Sequence, residues 1–337
     1  MKSILVTGGT GYIGSHTVIE LHRAGYRPIV IDNFSNSHKG VVQGMESIIG
    51  QNLDWYEGDC RSQAFLNEVF NQHKDIQGVI HFAACKAVGE SVENPMKYYD
   101  NNIGSLLQVL NAMKANDVHD LVFSSSCTVY GQPDALPVTE STSWKKANSP
   151  YGYTKQVCEQ IIQDLSKSDQ SFTSAILRYF NPIGAHPSAA IGELPNGVPD
   201  NLIPYVTQVA AGIRESLTVF GTDYATVDGT CIRDYIHVVD LAKAHVKALE
   251  WTAGNAGSVD AFNIGTGNGN SVKEVVETFE KVNQLKLNVI YGDRRPGDVE
   301  QIYASCNKAT SELNWTADHS LEDALKHAWN WQKSLQK

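Results

Sequence analysis

The N-terminal stretch of the chain contains a strand, a glycine-rich turn, a helix and a second strand in close succession. Residues 3–6 form a short apolar run typical of a buried strand, and residues 13–24 repeat apolar positions at helical spacing before Gly25. Residues 28–32 form a second apolar run, which ends in an acid, Asp32. This order predicts parallel strands joined by a helix, and it restricts the chain to an α/β fold.

The turn carries glycine at several positions. Gly9, Gly11 and Gly14 satisfy G-x-G-x-x-G, while Gly8, Gly11 and Gly14 satisfy G-x-x-G-x-x-G. A structural turn is the usual reason for a lone glycine pattern, but here the flanking strands, the helix and the acid fall where a dinucleotide needs them. The glycines let a pyrophosphate approach the helix N-terminus. Asp32 would bind the adenosine ribose and repel a 2′-phosphate, which favours NAD over NADP.

Strands and helices continue to alternate further along the chain. Residues 78–84 and 121–126 are apolar runs that predict buried strands, and residues 65–73 and 98–115 have helical spacing. The fold class we predict is α/β, a Rossmann-type doubly wound parallel sheet.

The composition changes after residue 181, where Gly, Pro and Asn become frequent and the alternation stops. We therefore predict a NAD-binding domain over residues 1–180. A smaller, mixed α/β C-terminal substrate domain is predicted over residues 181–337, with room for segments that cross back.

Residues 149–155 predict the start of a helix that carries an acid/base group. Ser149 suits the N-cap and Pro150 the first helical position. Tyr151 and Lys155 are four residues apart and share one helix face. The lysine charge and the helix N-terminus would lower the tyrosine pKa, and bringing it from about 10 to near 7 requires roughly 4 kcal/mol. The alternative is an exposed pair without chemistry, because the motif is short.

Serines at residues 124–126 end the strand that precedes this helix. Ligands of open parallel sheets bind beyond the carboxyl ends of the strands. The serines are therefore either simple strand caps or, in one case, a hydrogen-bond partner of a reacting hydroxyl.

Composition excludes several classes of function. The net charge of −10 argues against nucleic acid or an anionic membrane as a partner. No apolar run could span a bilayer or act as a signal peptide, so we expect a cytoplasmic protein with its six cysteines reduced. The eleven histidines have no metal-ligand spacing, and no metal site is predicted.

The chain resembles the extended short-chain dehydrogenase/reductase family, and within it the UDP-hexose 4-epimerases, over essentially its whole length. The glycine turn and the Tyr-Lys segment mark the superfamily, and Y-F-N-P-I-G-A-H-P at residues 179–187 is more specific to the epimerases. The other motifs are D-N at 32–33, F-S-S-S-C-T-V-Y-G at 123–131, L-R-Y-F-N-P at 177–182 and R-D-Y-I-H-V at 233–238.

The resemblance implies a reaction at C4 of a UDP-hexose, with NAD held tightly and regenerated in each turnover. Tyr151 would take the proton of the 4-hydroxyl while C4 gives hydride to NAD. Ser126 would hydrogen-bond that oxygen, and Lys155 would bind the nicotinamide ribose and hold the Tyr151 pKa down. The 4-keto sugar would then turn over and receive hydride on its other face, which interconverts UDP-galactose and UDP-glucose.

The resemblance also implies binding residues and an assembly for this chain, by matching positions. A homodimer is implied, packed through the helices at residues 98–115 and 151–166. The cofactor positions are Gly8, Gly11, Tyr12, Ile13, Gly14, Asp32, Asn33, Phe34, Ser35, Asn36, Ser37, Asp59, Cys60, Phe82, Ala83, Ala84, Lys86, Asn101, Ser126, Tyr151, Lys155 and Phe180. The substrate positions are Ser126, Tyr151, Asn181, Asn201, Leu202, Thr218, Phe220, Arg233, Arg295 and Asp298.

One position and two rival functions complete the predictions. Ile302 stands where family members carry a large Tyr or a small residue, so acceptance of N-acetylated hexoses stays open. A nucleotide-sugar 4,6-dehydratase needs an acid/base pair after the serine strand, where this chain has Cys127 and Thr128. A non-catalytic NAD-binding scaffold is disfavoured because Ser126, Tyr151 and Lys155 are all present.

Overall fold

The computed structural model describes residues 1–295 and 298–336, and Pro296, Gly297 and Lys337 lie outside the described residues. The described residues form a large parallel sheet, a smaller mixed sheet and a two-stranded ribbon. The strands are β1 Ser3–Thr7, β2 Arg27–Asp32, β3 Asp54–Glu57, β4 Ile76–His81, β5 Asp120–Ser124, β6 Thr173–Tyr179, β7 Asn181–Ile183, β8 Leu217–Phe220, β9 Ile232–His237, β10 Val259–Ile264, β11 Gly269–Ser271, β12 Val289–Gly292 and β13 Gln301–Ile302.

Helices connect most of these strands, and none in the described part of the chain is long and apolar enough to cross a bilayer. A π-helical turn, Tyr99–Ile103, interrupts the helix predicted over residues 98–115, and a 3-10 turn, Cys127–Tyr130, follows β5. The α-helices are α1 Tyr12–Arg23, α2 Gly40–Ile49, α3 Gln63–Gln72, α4 Val88–Glu93, α5 Pro95–Tyr98, α6 Gly104–Ala115, α7 Pro150–Ser168, α8 Leu202–Ala210, α9 Val238–Gly254, α10 Val272–Asn283, α11 Asn307–Glu312 and α12 Leu321–Ser334.

The large sheet has the order β3–β2–β1–β4–β5–β6–β10, and every neighbouring pair is parallel. The chain leaves β1 in one direction through β2 and β3, and then returns to the other side of β1 through β4. The crevice for a ligand in such a sheet lies outside the carboxyl ends of the strands at this reversal. The predicted Rossmann-type doubly wound sheet is confirmed.

Alternate residues of β1 enter two separate cores. Ile4 and Val6 pack in the cluster that contains Val18 of α1. Leu5 packs in the opposite cluster with Leu66 of α3 and with residues of α6. Each such buried side chain contributes about 1.5–3 kcal/mol. This two-sided burial explains why the strand reads as a continuous apolar run rather than as an alternating one.

The smaller sheet is built around β9, which pairs with β7 and β13 in parallel and with β11 in antiparallel orientation. The ribbon pairs β8 with β12. Helices α8, α10 and α12 bury a third apolar cluster that includes Val206, Phe279 and Leu325. Helices α10 and α12 both begin with capping boxes, through Ser271 and Ser320. This half is therefore mixed α/β, as the fold class predicts.

Two elements from the second half of the sequence lie within the layers of the large sheet. Strand β10 extends the sheet by pairing with β6, with Phe262 opposite Leu177. Helix α9 packs against α1, and its Leu241 and Ala244 lie in the same core as Ile4. The division into residues 1–180 and 181–337 stays a prediction, and these are the segments that cross back.

Candidate active site

The glycine turn brings β1, β2 and β4 close together at the carboxyl edge of the sheet. The Gly8 and Gly11 amides donate to Ile31 O and Gly8 O at 2.8 and 3.1 Å. Gly8 has a φ of +65°, and a Cβ there would lie 2.8 Å from Ala83 N. A Cβ on Gly14 would collide with the Gly8 carbonyl oxygen. The turn therefore requires glycine at these two positions, and it leaves the first amides of α1 at the edge of the sheet.

Asp32 organises the loop that follows β2. Its Oδ2 accepts from Thr10 N at 3.1 Å, and its Oδ1 accepts from Phe34 N at 2.9 Å and Ser37 Oγ at 3.2 Å. Asn33 Nδ2 donates to Asp59 Oδ2 at 3.5 Å. The structure thus brings together the residues predicted for the adenosine side of the cofactor, and the neighbouring positions Ser35, Asn36 and Cys60 lie in the same two loops.

Other predicted cofactor residues are held by contacts that the sequence does not reveal. Tyr12 Oη donates to Gly184 O at 2.7 Å, which ties α1 to the second half of the chain. Ile13 packs partly buried against the core of α1 and α9. Burial raises the pKa of Cys60 to about 12, so its thiol is a packing group rather than a nucleophile.

Lys86 follows Phe82, Ala83 and Ala84 in the loop after β4. Its Nζ lies 3.0 Å from Glu193 Oε1, which also accepts from Asn201 Nδ2 at 2.7 Å. Glu193 therefore connects a predicted cofactor residue with a predicted substrate residue. Nothing in its glycine- and proline-rich stretch of sequence indicated this position.

The π-helical turn contains both Asn101, which we predict as a cofactor contact, and its neighbour Asn102. Asn101 Nδ2 donates to Asn102 Oδ1 at 3.1 Å. Asn102 is buried, and its side chain binds Cys85 N, Cys85 O and Thr154 Oγ1 at 2.8–3.1 Å. Asn102 thus joins the loop after β4 to α7, a structural task that sequence analysis missed.

Helix α7 begins as predicted, with Ser149 Oγ accepting from Gly152 N at 3.2 Å and Pro150 in the first turn. Tyr151 and Lys155 are buried, at 8% and 3% exposure, so the alternative of an exposed pair is wrong. Lys155 Nζ donates to Ser124 O at 2.6 Å and lies 5.9 Å from the Tyr151 ring centroid. The strand of serines and the Tyr-Lys face of the helix therefore meet.

The pKa values of this group differ from the expectation for Tyr151. Burial, and then the nearby Tyr179, raise the pKa of Tyr151 above its ordinary value, while a hydrogen bond with Ser126 acts in the opposite direction. Burial also lowers the pKa of Lys155 to about 8. The prediction of a lowered Tyr151 pKa is therefore wrong. Desolvation of the phenolate dominates, and Lys155 Nζ is held on Ser124 O.

Four predicted substrate residues form a cluster in the second half. Arg295 Nη2 lies 3.0 Å from Asp298 Oδ1, and its guanidinium lies 5.8 Å from the Phe220 ring centroid. Arg233 Nη2 lies 3.9 Å from the same Asp298 oxygen. A guanidinium group beside an aromatic ring, with a second guanidinium group on the same carboxylate, is suited to phosphate oxygens and a planar base.

The remaining substrate positions are placed less directly. Asn181 begins β7, Leu202 packs partly buried at the start of α8, and Thr218 lies two residues before Phe220 on β8. No hydrogen bond within residues 1–295 and 298–336 links the side chain of Asn181 or Thr218 to the cluster. Pro296 and Gly297, which complete the predicted Arg295–Asp298 motif, lie outside the described residues.

Ile302 connects this cluster with the serine strand. It pairs with Arg233 across β13 and β9, and it is 4% exposed. It packs in one apolar cluster with Phe180 and Cys127, and Cys127 directly follows Ser126. The predicted phosphate and catalytic residues are therefore joined through three contacting side chains.

Comparison with known proteins identifies the family. The family model described as GDP-mannose 4,6 dehydratase matches residues 5–328. The UDP-glucose 4-epimerase of Bacillus subtilis (strain 168) is 51% identical over 332 residues, which cover 98% of this chain and 97% of the relative. The chain belongs to the UDP-glucose 4-epimerase family, within the extended short-chain dehydrogenases/reductases.

Crystal structures of UDP-glucose 4-epimerases have the same fold. The enzyme from Bifidobacterium longum, in complex with NAD+ and UDP, is 46% identical with a TM-score of 0.95, and the match covers 98% of both chains. The enzyme from Stenotrophomonas maltophila, with bound NAD and formylated UDP-arabinopyranose, is 43% identical with a TM-score of 0.96, covering 100% of this chain and 99% of that one.

The residues present fit the NAD that these epimerases bind. Gly8 and Gly14 let β1, the loop after β4 and the start of α1 pack backbone against backbone. This packing brings the N-terminus of α1 to the place where a dinucleotide's pyrophosphate binds in such a turn. Asp32 stands at the end of β2 with its carboxylate fixed by three donors. Both features agree with a dinucleotide whose adenosine ribose carries free hydroxyls.

Proposed function

We propose that this protein interconverts UDP-galactose and UDP-glucose in galactose metabolism. It is an NAD-dependent epimerase, and NAD supplies the acceptance and return of hydride at C4 of the hexose. The observation that carries the proposal is the buried face of α7, where Tyr151 and Lys155 meet the serines at the end of β5. The relatives named above, at about half identity over nearly the full chain, support the same reaction.

The chain's own residues bind the two ligands at opposite sides of this face. The glycine turn, Asp32 and the loops after β3 and β4 hold NAD. Arg233, Arg295 and Phe220 hold the UDP group through charge and ring contact. The hexose lies between them and is held more loosely, because it must present both faces to the same hydride position.

Proton transfer in both directions belongs to Tyr151. As a base it accepts the proton of the 4-hydroxyl, and as an acid it returns a proton to the 4-keto oxygen after the sugar has turned over. Ser126 donates a hydrogen bond to the same oxygen. Because burial opposes the phenolate, the positive charge of Lys155 is needed beside Tyr151 when its proton leaves.

A 4,6-dehydratase is disfavoured although the matching family model carries that description. The two residues after Ser126 are Cys127 and Thr128, and neither is a carboxylic acid. Burial raises the pKa of Cys127 to about 12, so it holds its proton at neutral pH. Elimination across C5 and C6 needs an acid and a base at this place.

The first test adds UDP-galactose to the purified protein without cofactor and follows the anomeric proton signals by NMR. We expect a UDP-glucose signal to grow, which would show both the reaction and the retention of NAD through purification. If no UDP-glucose signal appears even after NAD is added, the proposed reaction is wrong for these hexoses. UDP-N-acetylhexoses would then be tested, with Ile302 as the residue to vary.

We also infer a homodimer, packed through the layer of α4, α5, α6 and α7. Val92, Met96, Leu107 and Tyr153 are 42–71% exposed on this layer, and Tyr153 contacts Tyr99 edge to face. A group of large apolar side chains on adjoining helices is typical of a protein interface. A cytosolic location is part of the same proposal, supported by six cysteines that are all free thiols.

Leu107→Glu should convert the dimer to a monomer, because it places a charge among the exposed apolar side chains of this layer. Light scattering during size-exclusion chromatography would show the mass fall from twice to once the chain mass. Val227→Glu is the matched control, since Val227 is fully exposed in the other half of the molecule. A wild type that elutes as a monomer would contradict the dimer.

A further inference from the structure

One turn after Lys155 on the same face of α7 lies a buried ion pair that the proposed reaction does not use. Arg178 Nη2 of β6 lies 2.7 Å from Glu159 Oε2, and Arg178 Nε lies 3.1 Å from both carboxylate oxygens. Glu159 is fully buried and Arg178 is 4% exposed. A buried pair of this kind contributes little net stability compared with apolar residues. Stability alone therefore does not explain why Glu159 and Arg178 are paired here.

The pair continues a stripe that starts with the acid/base residues. Tyr151, Lys155 and Glu159 are spaced by four residues and share one face of α7. Each of the three lies against one of the serines 124–126 at the carboxyl end of β5. Ser126 lies beside Tyr151 and acts to lower its pKa, Lys155 Nζ donates to Ser124 O at 2.6 Å, and Ser125 Oγ donates to Glu159 Oε1 at 2.5 Å. Glu159 thus binds the serine that lies between the other two.

We propose that Glu159, held by Arg178, is a positioning residue that fixes Ser126 and Lys155 relative to Tyr151. The inference rests on the proposed function, since it concerns the same acid/base group. Ser125 is bound on two sides, because its amide donates to Leu177 O at 2.9 Å while its hydroxyl binds Glu159. With Ser125 held between β6 and α7, its neighbour Ser126 cannot slide along the helix.

Arg178 extends this restraint to the turn after the serines. Its Nη1 donates to Tyr130 Oη at 3.1 Å and to Glu140 O at 3.2 Å. Tyr130 Oη in turn donates to Asn263 Oδ1 of β10 at 2.6 Å. The turn at Tyr130 is therefore linked to β6 through Arg178 and to β10 through Asn263.

Glu159 also acts on Lys155 through its charge. Burial lowers the pKa of Lys155 to about 8, and the groups at Cys158 and Glu159 oppose that shift. Replacing Glu159 by a neutral residue should therefore lower the Lys155 pKa further and leave a larger neutral fraction at pH 7–8. The titratable and charged groups around the two residues are Tyr151 and Cys158 on α7, His81 on β4, Arg178 and Tyr179 on β6, and Tyr130 after β5.

The first experiment compares wild type with Glu159→Gln, which keeps the shape of the side chain and removes its charge. We expect kcat to fall at least tenfold with KM unchanged, and the alkaline limb of the kcat–pH profile to move to lower pH by at least half a unit. A purely structural role would lower the amount of folded enzyme without moving that limb. A folded variant with an unchanged limb overturns the proposal.

A second readout does not depend on activity. Titration of 15N-labelled lysine by NMR, with the Lys155 signal assigned through Lys155→Met, should give a lower Lys155 pKa in Glu159→Gln than in wild type. If the wild type fails to epimerise, the proposed function fails, but this titration still decides the inference. An equal Lys155 pKa in the two proteins contradicts it.

A milder variant covers the case in which Glu159→Gln does not fold. Ser125→Ala removes the hydroxyl contact and leaves the ion pair intact, so kcat should fall severalfold at constant KM. Ser174→Ala is the matched control, because Ser174 Oγ is buried in the same sheet without a hydrogen-bond partner in the described structure. Equal kcat values for the two serine variants would overturn the proposed restraint on Ser126.

Discussion

Replacing Tyr151 by phenylalanine should lower kcat for UDP-galactose by about 10²–10⁴-fold, the usual contribution of a positioned acid/base group. The variant keeps the buried ring of residue 151 and loses only the hydroxyl that carries the proton. NAD content and UDP affinity should be unchanged, because the glycine turn and the arginine cluster lie elsewhere. NMR of the anomeric protons would measure kcat, and a tryptophan-quenching titration would measure UDP affinity. The absorbance of nucleotide released on denaturation would measure NAD content.

Tyr153→Phe is the control for this variant. Tyr153 is half-exposed and two residues along the same helix, so its hydroxyl faces away from Lys155. Its kcat should equal that of wild type. Full turnover in Tyr151→Phe would remove Tyr151 from the role assigned to it, whatever the outcome for Tyr153.

Gly8→Ala should abolish NAD retention and lower the stability of the protein. Two costs add at this position. The left-handed φ of +65° costs an alanine about 1–2 kcal/mol. The Cβ would also lie 2.8 Å from Ala83 N, and relieving that overlap costs about 1–3 kcal/mol more. Thermal unfolding and the absorbance of released nucleotide after denaturation would report the two effects separately.

Gly50→Ala isolates the first of these costs. Gly50 also has a left-handed φ, of +78°, but a Cβ there has nothing within 4 Å. It should lose about 1–2 kcal/mol of stability and keep its NAD. If Gly8→Ala behaves in the same way as Gly50→Ala, the close approach of β1 and β4 does not matter for cofactor binding.

The parts of the molecule that follow from local sequence could be predicted. The glycine turn, Asp32 and the start of α7 each depend on a few consecutive residues, and the structure places all of them in the elements expected. The doubly wound parallel sheet could be predicted from the alternation of strands and helices. The resemblance then supplied a family that full-length relatives confirm.

Features that depend on long-range contacts could not be predicted. Strand β10 joins β6 from about 80 residues further along the chain, and no local pattern marks that pairing. The burial of Tyr151 decides that its pKa is raised rather than lowered, and a sequence motif shows spacing but not burial. The position of Glu159, four residues after Lys155, was visible in the sequence, but its contacts with Ser125 and Arg178 were not.

The position of β10 also has a consequence for the order in which the protein is built. On the ribosome, residues 1–180 emerge first, but their sheet lacks an edge strand and the covering helix α9 until residue 264 has left the exit tunnel. During that interval the outer edge of β6 has free backbone donors and acceptors, which can pair with another chain. Nascent copies of this protein therefore depend on prompt completion of synthesis, and a release of the first 180 residues alone would yield an aggregation-prone fragment.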